Sequence, residues 1–319
     1  MFSGADTDGY CDERALFRKR EVMMAAAGSN IRISVVIPAY NAARFLPRCL
    51  KSVFAQTLKP VEVIVVDDGS TDNTAALAAK LGASVLARPN GGPAAARNAG
   101  ISKASGEWIA LLDADDQWSP EKLERQAARI HAETVLVYTG IRIFGDDGVY
   151  HEQPVIDAIA ARKMLRYANP IPNSSVLVRR EAVVQSGGFR EDIRGPEDWE
   201  MWFRLLRSGL FAAVAEPLTD YYVYPSSLSA NPERMIQAVY QFIDTTLLAD
   251  LHGLRRWAWR RRILASQLCS AGLIARDNHL SGEFHYMLQS LFTWPSPLWQ
   301  TRRFLSFAVS AKRSFRRRR

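Results

Sequence analysis

Three short apolar runs, each closed by turn-forming polar residues, organise the first third of the chain. Ile33-Ser34-Val35-Val36-Ile37 gives way to Pro38-Ala39-Tyr40-Asn41. Val61-Glu62-Val63-Ile64-Val65-Val66 stops at Asp67-Asp68-Gly69-Ser70, and Trp108-Ile109-Ala110-Leu111-Leu112 stops at Asp113-Ala114-Asp115-Asp116. Near-continuous β-branched runs of this length read as strands buried on both faces of an α/β sheet. Helical patterns lie between them. Phe45, Leu46, Cys49, Leu50, Val53 and Phe54 share one stripe; Ser70-Thr71-Asp72 offers caps for an Ala-rich helix ending near Gly82; and the turn Asn90-Gly91-Gly92-Pro93 leads into a helix with Arg97, Asn98 and Ile101. A short strand is expected at Ala83–Ala87, and a helix opening at Ser119-Pro120-Glu121.

Beyond Glu133 the pattern becomes mixed. Strands are expected at Val135–Phe144 and Ser174–Val178, with a hairpin turn at Asp146-Asp147-Gly148 and a helix opening at Pro196-Glu197-Asp198-Trp199. From Asn231 onward the chain reads as helical, basic and rich in tryptophan. The expected organisation is an extension over 1–30, a catalytic-size domain over 31–230 and a helical basic extension over 231–319.

Ligands of open α/β sheets bind outside the carboxyl ends of the strands. Two of the three strand ends here carry carboxylates, so they point into one pocket. Hard oxygen ligands there suit Mg2+ or Mn2+ together with the phosphates of a nucleotide. An EF-hand is excluded, because Trp118 stands where that loop needs glycine.

Taken in order, Ser34–Asn41, Val65–Asp72 and Leu112–Asp116 resemble the nucleotide-sugar-binding half of the family 2 inverting glycosyltransferases, over about residues 31–230. The resemblance implies an α/β fold of the GT-A type: a mixed, nucleotide-diphospho-sugar-binding sheet flanked by helices, followed here by the C-terminal helical extension. It implies transfer of a sugar, with inversion, from a nucleotide-diphosphate donor of the UDP type to a hydroxyl of a glycan or lipid-linked acceptor, using Mg2+ or Mn2+. Asp115 is then the metal ligand, with Asp113 near ribose and metal and Ala114 between them. Asp68 is placed to accept the N3–H of uracil, with Tyr40 flanking the base and Pro38, Asn41 and Asp67 completing the donor loop. Asp67 also suits a plain capping role. Arg97 is expected either to approach the diphosphate or to lie at the surface.

Glu197-Asp198 resembles the family's acidic pair ahead of a helix, in which the Asp is the general base. The helix N-terminus favours its ionised form, so Asp198 is expected to be unprotonated at neutral pH. Glu197 is the alternative base. One departure stands out: the segment Tyr222–Ser229 keeps Ser227 and Ser229 but lacks the Arg and His that family members often carry there, which implies either a looser diphosphate clamp or that Tyr224 does part of their work at the metal–diphosphate end.

Composition adds exclusions. No run of about 18 apolar residues marks a membrane span. Cys11, Cys49 and Cys269 are scattered and include no CxxC pair, which excludes a zinc motif and fits a reducing cytoplasm. A signal-peptide reading of Arg18–Ala27 has its apolar stretch at the short limit and starting after Glu21. The net charge of +8 is matched by Arg302, Arg303, Lys312, Arg313, Arg316, Arg317, Arg318 and Arg319 alone. With no recognition motif beside it, this tail does not indicate specific nucleic-acid binding. Together with the basic, tryptophan-bearing stretch Leu254–Arg262, it fits attachment through residues 302–319 to an anionic membrane surface, peripheral at the inner face of the plasma membrane; the alternative is that Trp257 and Trp259 pack against the preceding domain and the final arginines are a solvated end. A sugar-phosphate nucleotidyltransferase would need a Gly-rich, cationic loop after the first strand, and Pro38-Ala39-Tyr40-Asn41 has neither feature. A non-catalytic glycan-binding relative is opposed by the intact Asp68, Asp113, Asp115 and Asp198.

Overall fold

The computed structural model describes residues 31–145, 148, 150–153, 155–224, 231–277, 280–296, 303–307 and 310. The expected extension 1–30, the turn residues Asp146 and Asp147, the segment Pro225–Ser229 and most of the basic tail lie outside the described residues.

The first third alternates as its pattern predicts: β1 (Ile33–Ala39), α1 (Leu46–Phe54), β2 (Glu62–Asp67), α2 (Thr74–Lys80), β3 (Ser84–Ala87), α3 (Pro93–Lys103) and β4 (Trp108–Leu111). There follow β5 (Gln117–Trp118), α4 (Lys122–Ala127), β6 (Thr134–Phe144), β7 (Tyr150–Gln153), α5 (Ala158–Met164), β8 (Val176–Arg179), α6 (Arg180–Gln185), α7 (Glu197–Leu205) and β9 (Leu210–Tyr222). One mixed sheet runs in the order β3-β2-β1-β4-β8-β6-β9-β5, with β7 paired to β6. β1 is parallel to β2 and β4, whereas β8 is antiparallel to β4 and β6. In β1–β2 the register sets Ala39 beside Asp67, so the polar ends of both strands emerge at one edge.

Helices cover the central strands, which explains why those strands read as continuous apolar runs. α3 lies close against the sheet at Gly100. A Cβ there would lie 3.0 Å from Val66 Cγ2 and closer still to Val36 Cγ1.

Two elements start differently from the sequence reading. Asn173–Ser175 form a single 3-10 turn before β8, because Ser175 Oγ donates to the Pro172 carbonyl (2.7 Å) and Ser174 Oγ donates to Asp116 (2.5 Å). Such local side-chain bonds compete with a strand ladder. Ser119 does not cap α4; its hydroxyl accepts from Arg142 Nη2 (2.8 Å) instead.

The described residues from Arg32 onward form one compact unit. The helical part comprises α8 (Pro232–Phe242), a π-helical turn (Ile243–Leu247), α9 (Gly253–Asp277) and α10 (Glu283–Thr293). Its Val239, Phe242, Ile243 and Ile263 share one buried cluster with Trp199 and Trp202 of α7. Composition changes at residue 231, but the core continues across it. Arg303, counted above among the tail cations, is buried. It donates to Ser290 Oγ (2.9 Å), to the Ser290 carbonyl and to the Trp294 carbonyl (2.7 Å), satisfying the C-terminal end of α10 rather than facing solvent.

Candidate active site

The site lies at the carboxyl ends of β1, β2 and β4, and its loops are cross-linked by short polar side chains. Asn41 has a positive φ of 49°, which Asn tolerates better than most residues. Its Oδ1 accepts from Thr71 N (2.8 Å), and its own N–H donates to Ser70 Oγ (2.9 Å), joining the β1 and β2 loops. Asp67 accepts from Ser70 N (3.3 Å), a turn-capping bond. Asp72 accepts from Thr74 N (3.0 Å) at the start of α2. Pro38 is half-buried and Tyr40 is exposed.

Asp68 is buried and heavily engaged. Arg88 Nη1 donates to Oδ1 (2.8 Å), Gly92 N donates to Oδ2 (2.7 Å), and Gly91 N lies 3.1 Å from Oδ1. A carboxylate has about four lone-pair sites, so acceptor capacity remains. Its main work in this arrangement is to hold the turn ahead of α3.

The β4 loop is organised from behind. Asp113 N donates to Ser174 Oγ (3.0 Å), and Asp116 accepts from that hydroxyl and from Tyr222 N (2.9 Å). Burial, then the charges of Asp115 and Asp113, push the Asp116 carboxyl well above the usual range, which suits a strut rather than a metal ligand. Asp115 is pushed up to about 6 by burial and by Asp113. Among the described residues no side chain donates a hydrogen bond to its carboxylate. The described residues also contain no cluster of three or more His, Cys, Asp or Glu suited to a metal. Asp115, with Asp113 beside it, supplies the hard oxygen donors at this strand end that could hold a divalent cation.

Arg97 occupies the centre of the arrangement. It is buried, and its Nη2 donates to Asp113 Oδ1 (2.8 Å) while Nη1 donates to Glu197 Oε1 (2.6 Å). With the Asn173 amide oxygen turned toward it, that oxygen accepts from Nη2 and Nε at 2.9 and 2.7 Å. The guanidinium expected to approach a diphosphate is thus committed to tying the β4 loop to the start of α7. The Asp113 and Glu197 charges outweigh burial and raise its pKa.

Glu197 accepts a second bond from Gly195 N (2.9 Å), so both its oxygens are occupied by the scaffold. Asp198, partly buried beside it, accepts from Asn169 Nδ2 (3.0 Å) and Trp199 N (2.6 Å). The Asn169 loop is pinned by indoles, with Trp199 Nε1 donating to the Leu165 carbonyl (2.7 Å) and Trp202 Nε1 to that of Ile171 (3.1 Å). Burial, then the Glu197 charge, push the Asp198 carboxyl up to about 7. This corrects the expectation of a fully ionised group: those two effects outweigh the helix N-terminus and the Arg97 charge.

The family profile described as "Glycosyl transferase family 2" matches residues 34–190. A putative teichuronic acid biosynthesis glycosyltransferase, TuaG of Bacillus subtilis, is 31% identical over 213 residues, covering 62% of this chain and 82% of its own. The chain belongs to glycosyl transferase family 2. Another relative, the Escherichia coli UDP-Glc:alpha-D-GlcNAc-diphosphoundecaprenol beta-1,3-glucosyltransferase WfaP, is 33% identical over 62% of this chain and 80% of its own. Among solved structures, S. aureus TarS in complex with UDP-GlcNAc aligns with a TM-score of 0.56 at 21% identity, over 82% of this chain and 80% of that one. The mannosyltransferase PcManGT from Pyrobaculum calidifontis, in complex with GDP-Man and Mn2+, aligns at 0.55 and 18% identity over 93% of both chains. These likenesses support the expected GT-A fold.

For a family 2 glycosyltransferase, the neighbourhood of Tyr224 supplies a residue that sequence reasoning missed. Arg48 of α1 donates from Nη2 to the Asp115 carbonyl (2.5 Å) and to Tyr224 OH (2.7 Å), and its guanidinium lies 3.8 Å from the Tyr222 ring centroid. Tyr224 also stacks against Tyr222 and tilts over Phe45. On α1, Arg48 reads as a solvated position beside the apolar stripe; nothing local signals its partners, which lie 67 and 176 residues away. Asn169, Asn173, Ser174 and Asp116 went unassigned for the same reason.

Proposed function

We propose that this glycosyltransferase is an inverting, metal-dependent enzyme that transfers a sugar from a UDP-type donor to a hydroxyl of a lipid-linked glycan acceptor. The observation that carries the reading is the Asp113–Arg97–Glu197 bridge. It joins the strand end suited to a nucleotide diphosphate to the helix start that bears a carboxylate tuned for proton transfer. Arg97 neutralises Asp113 and Glu197 and leaves Asp115 and Asp198 for chemistry.

Asp198 is the general base. Its pKa of about 7 lies where a base is both deprotonated and basic enough to accept a hydroxyl proton. It takes the acceptor proton as the acceptor oxygen attacks the anomeric carbon, and the nucleotide diphosphate leaves from the opposite face in a single displacement. Asp115, with Asp113 beside it, would hold Mg2+ or Mn2+, which supplies charge stabilisation to the leaving diphosphate. Tyr40 flanks the base, Pro38 and Asn41 shape its loop, and Asp68 orders the turn opposite. Arg48 carries positive charge to the side where the family's Arg and His are missing, and fixes Tyr222 and Tyr224 there.

A UDP-donor relative acting on a diphosphoundecaprenol-linked sugar supports this choice of substrates. The test is a donor panel scoring metal-dependent thermal shift and slow donor hydrolysis. Stabilisation by UDP-sugars with Mn2+ or Mg2+, abolished by chelator, is expected. Equal response to all nucleotides, or full hydrolysis in excess chelator, overturns the reading.

A further inference from the structure

Asp198 takes one of its hydrogen bonds from a loop that two parts of the fold hold in common. The loop follows α5 and runs from Leu165 to Ile171. Trp199 Nε1 of α7 donates to its Leu165 carbonyl (2.7 Å), Gln267 Nε2 of α9 to its Tyr167 carbonyl (2.9 Å), and Trp202 Nε1 of α7 to its Ile171 carbonyl (3.1 Å). All three donor residues are buried, where a carbonyl stripped of its partner is costly, so these bonds fix the path of the loop. Asn169 stands between the clamped carbonyls, and Pro170 after it restricts its backbone further.

The Asn169 amide has its orientation set from the other end. Its Oδ1 accepts from Ile171 N (3.0 Å), an Asx-type bond to the backbone two residues on, which leaves Nδ2 to donate to Asp198 Oδ2 (3.0 Å). Trp199 N donates to the other carboxylate oxygen (2.6 Å). Each oxygen thus holds one donor, and the pair fixes the plane of the carboxyl. The two donors differ in kind: Trp199 N turns with α7, whereas Asn169 comes from outside the helix. The charged groups acting on Asp198 are Glu197 of its own helix, Arg97 of α3 and Asp113 of the β4 loop. Arg97 is spent on Glu197 and Asp113, and the loop's own Arg166 lies against α9, 6.0 Å from the Trp259 ring centroid. Among the described residues, Asn169 is therefore the one side chain that donates directly to the Asp198 carboxylate. A neutral N–H donor favours the ionised carboxylate, opposing burial and the Glu197 charge.

We propose that Asn169 is the positioning residue of Asp198: its amide aims the carboxylate and favours its ionised form, and the C-terminal helical part reaches the base through the bond from Gln267 to the same loop. The proposal rests on the reading of Asp198 as the base and deepens it by naming what holds that base poised.

The test is a titration of the carboxyl itself. Aspartate labelled with carbon-13 at the side-chain carboxyl is incorporated into the full chain, Asn169→Ala, Asn169→Asp and Gln267→Leu, and the Asp198 signal is assigned by its loss in Asp198→Asn. The parent signal should titrate near pH 7. In Asn169→Ala the midpoint should rise by about one pH unit. Asn169→Asp keeps an acceptor for Ile171 N but sets a second carboxyl against Asp198, so its midpoint should rise by about two units although the loop bond survives. That variant also carries the test if Asn169→Ala is too unstable to titrate. Gln267→Leu should move the midpoint the same way by less, and no movement there overturns the part given to α9. Hydrolysis of UDP-glucose with Mn2+ is followed in parallel. In Asn169→Ala, kcat should fall about tenfold at pH 6, the acid limb should shift with the carbon signal, and the donor KM should stay unchanged. A midpoint unmoved in both Asn169 variants, whatever their melting temperatures, overturns the proposal and leaves Asn169 a loop cap. A carbon signal that moves while the acid limb stays fixed counts against Asp198 as the base and leaves the hold of Asn169 on its carboxyl standing.

Discussion

Replacing Asp198 with Asn separates a base from a structural cap, because the two roles predict opposite stability trends with pH. The folded carboxyl titrates at about 7, against an ordinary Asp value of about 3.9. Between those values the folded state binds more protons than the unfolded one, so this group's contribution to stability falls as pH rises and levels off above 7. Taken at face value the shift of about three units corresponds to about 4 kcal/mol, of which about 2.6 is lost between pH 5 and pH 8. Water at the partly exposed carboxyl screens this, so about 1–2 kcal/mol is the expected loss. Asn cannot ionise, but it has one acceptor oxygen for the two donors Trp199 N and Asn169 Nδ2, which costs about 1 kcal/mol at any pH. Asp198→Asn should therefore be less stable than the parent at pH 5 and close to it, or more stable, at pH 8. Over the same range transfer should fall by about 10²–10⁴-fold with UDP affinity retained. In the parent, kcat/KM should rise about tenfold from pH 6 to pH 8 as the base ionises. Urea titrations at both pH values and initial rates measure the two effects. A stability difference between variant and parent that does not change with pH would refute the assignment of the raised carboxyl to Asp198.

Asp115→Asn should abolish transfer and weaken metal-dependent UDP binding while leaving the melting temperature unchanged or raised, and calorimetric titration with UDP and Mn2+ checks it. Arg97→Met should destabilise the fold by about 3–5 kcal/mol, since it strands the buried Glu197 carboxylate; adding Glu197→Gln should recover part of that loss in a double-mutant cycle, and strictly additive losses would count against the bridge. Arg48→Ala should raise the donor KM by about tenfold with a smaller change in kcat, and Arg48→Lys should restore little, because a lysine does not reproduce the planar fork; steady-state kinetics separate the two constants.

The strand ends were readable because each buried strand advertises itself twice, by a β-branched run and by the polar residues that stop it. The order of Asn41, Asp68, Asp113 and Asp198 along the chain then carried the site. Asp116, in contrast, resembles its neighbour Asp115 in sequence, and only the Ser174 hydroxyl and Tyr222 amide brought in by distant strands make it a strut. The ionisation of Asp198 was misjudged because a helix N-terminus is visible in sequence, whereas the burial created by Trp199 and the Asn169 loop is not. Arg97 reads as a surface cation on an Ala-rich helix until packing shows both carboxylates it spans.

Gly100 of α3 gives that span a mechanical origin. It lies one helical turn beyond Arg97, and the missing side chain lets the backbone settle against Val36 and Val66. The spacing between helix and sheet is the ruler that sets how far the guanidinium reaches toward Asp113 on one side and Glu197 on the other. Gly100→Ala would favour the helix by about 1 kcal/mol in isolation. Within the fold the added methyl acts as a wedge at the short end of a lever, swinging Arg97 off both carboxylates. A residue that bonds neither carboxylate thereby sets how closely Arg97 ties Asp113 to Glu197.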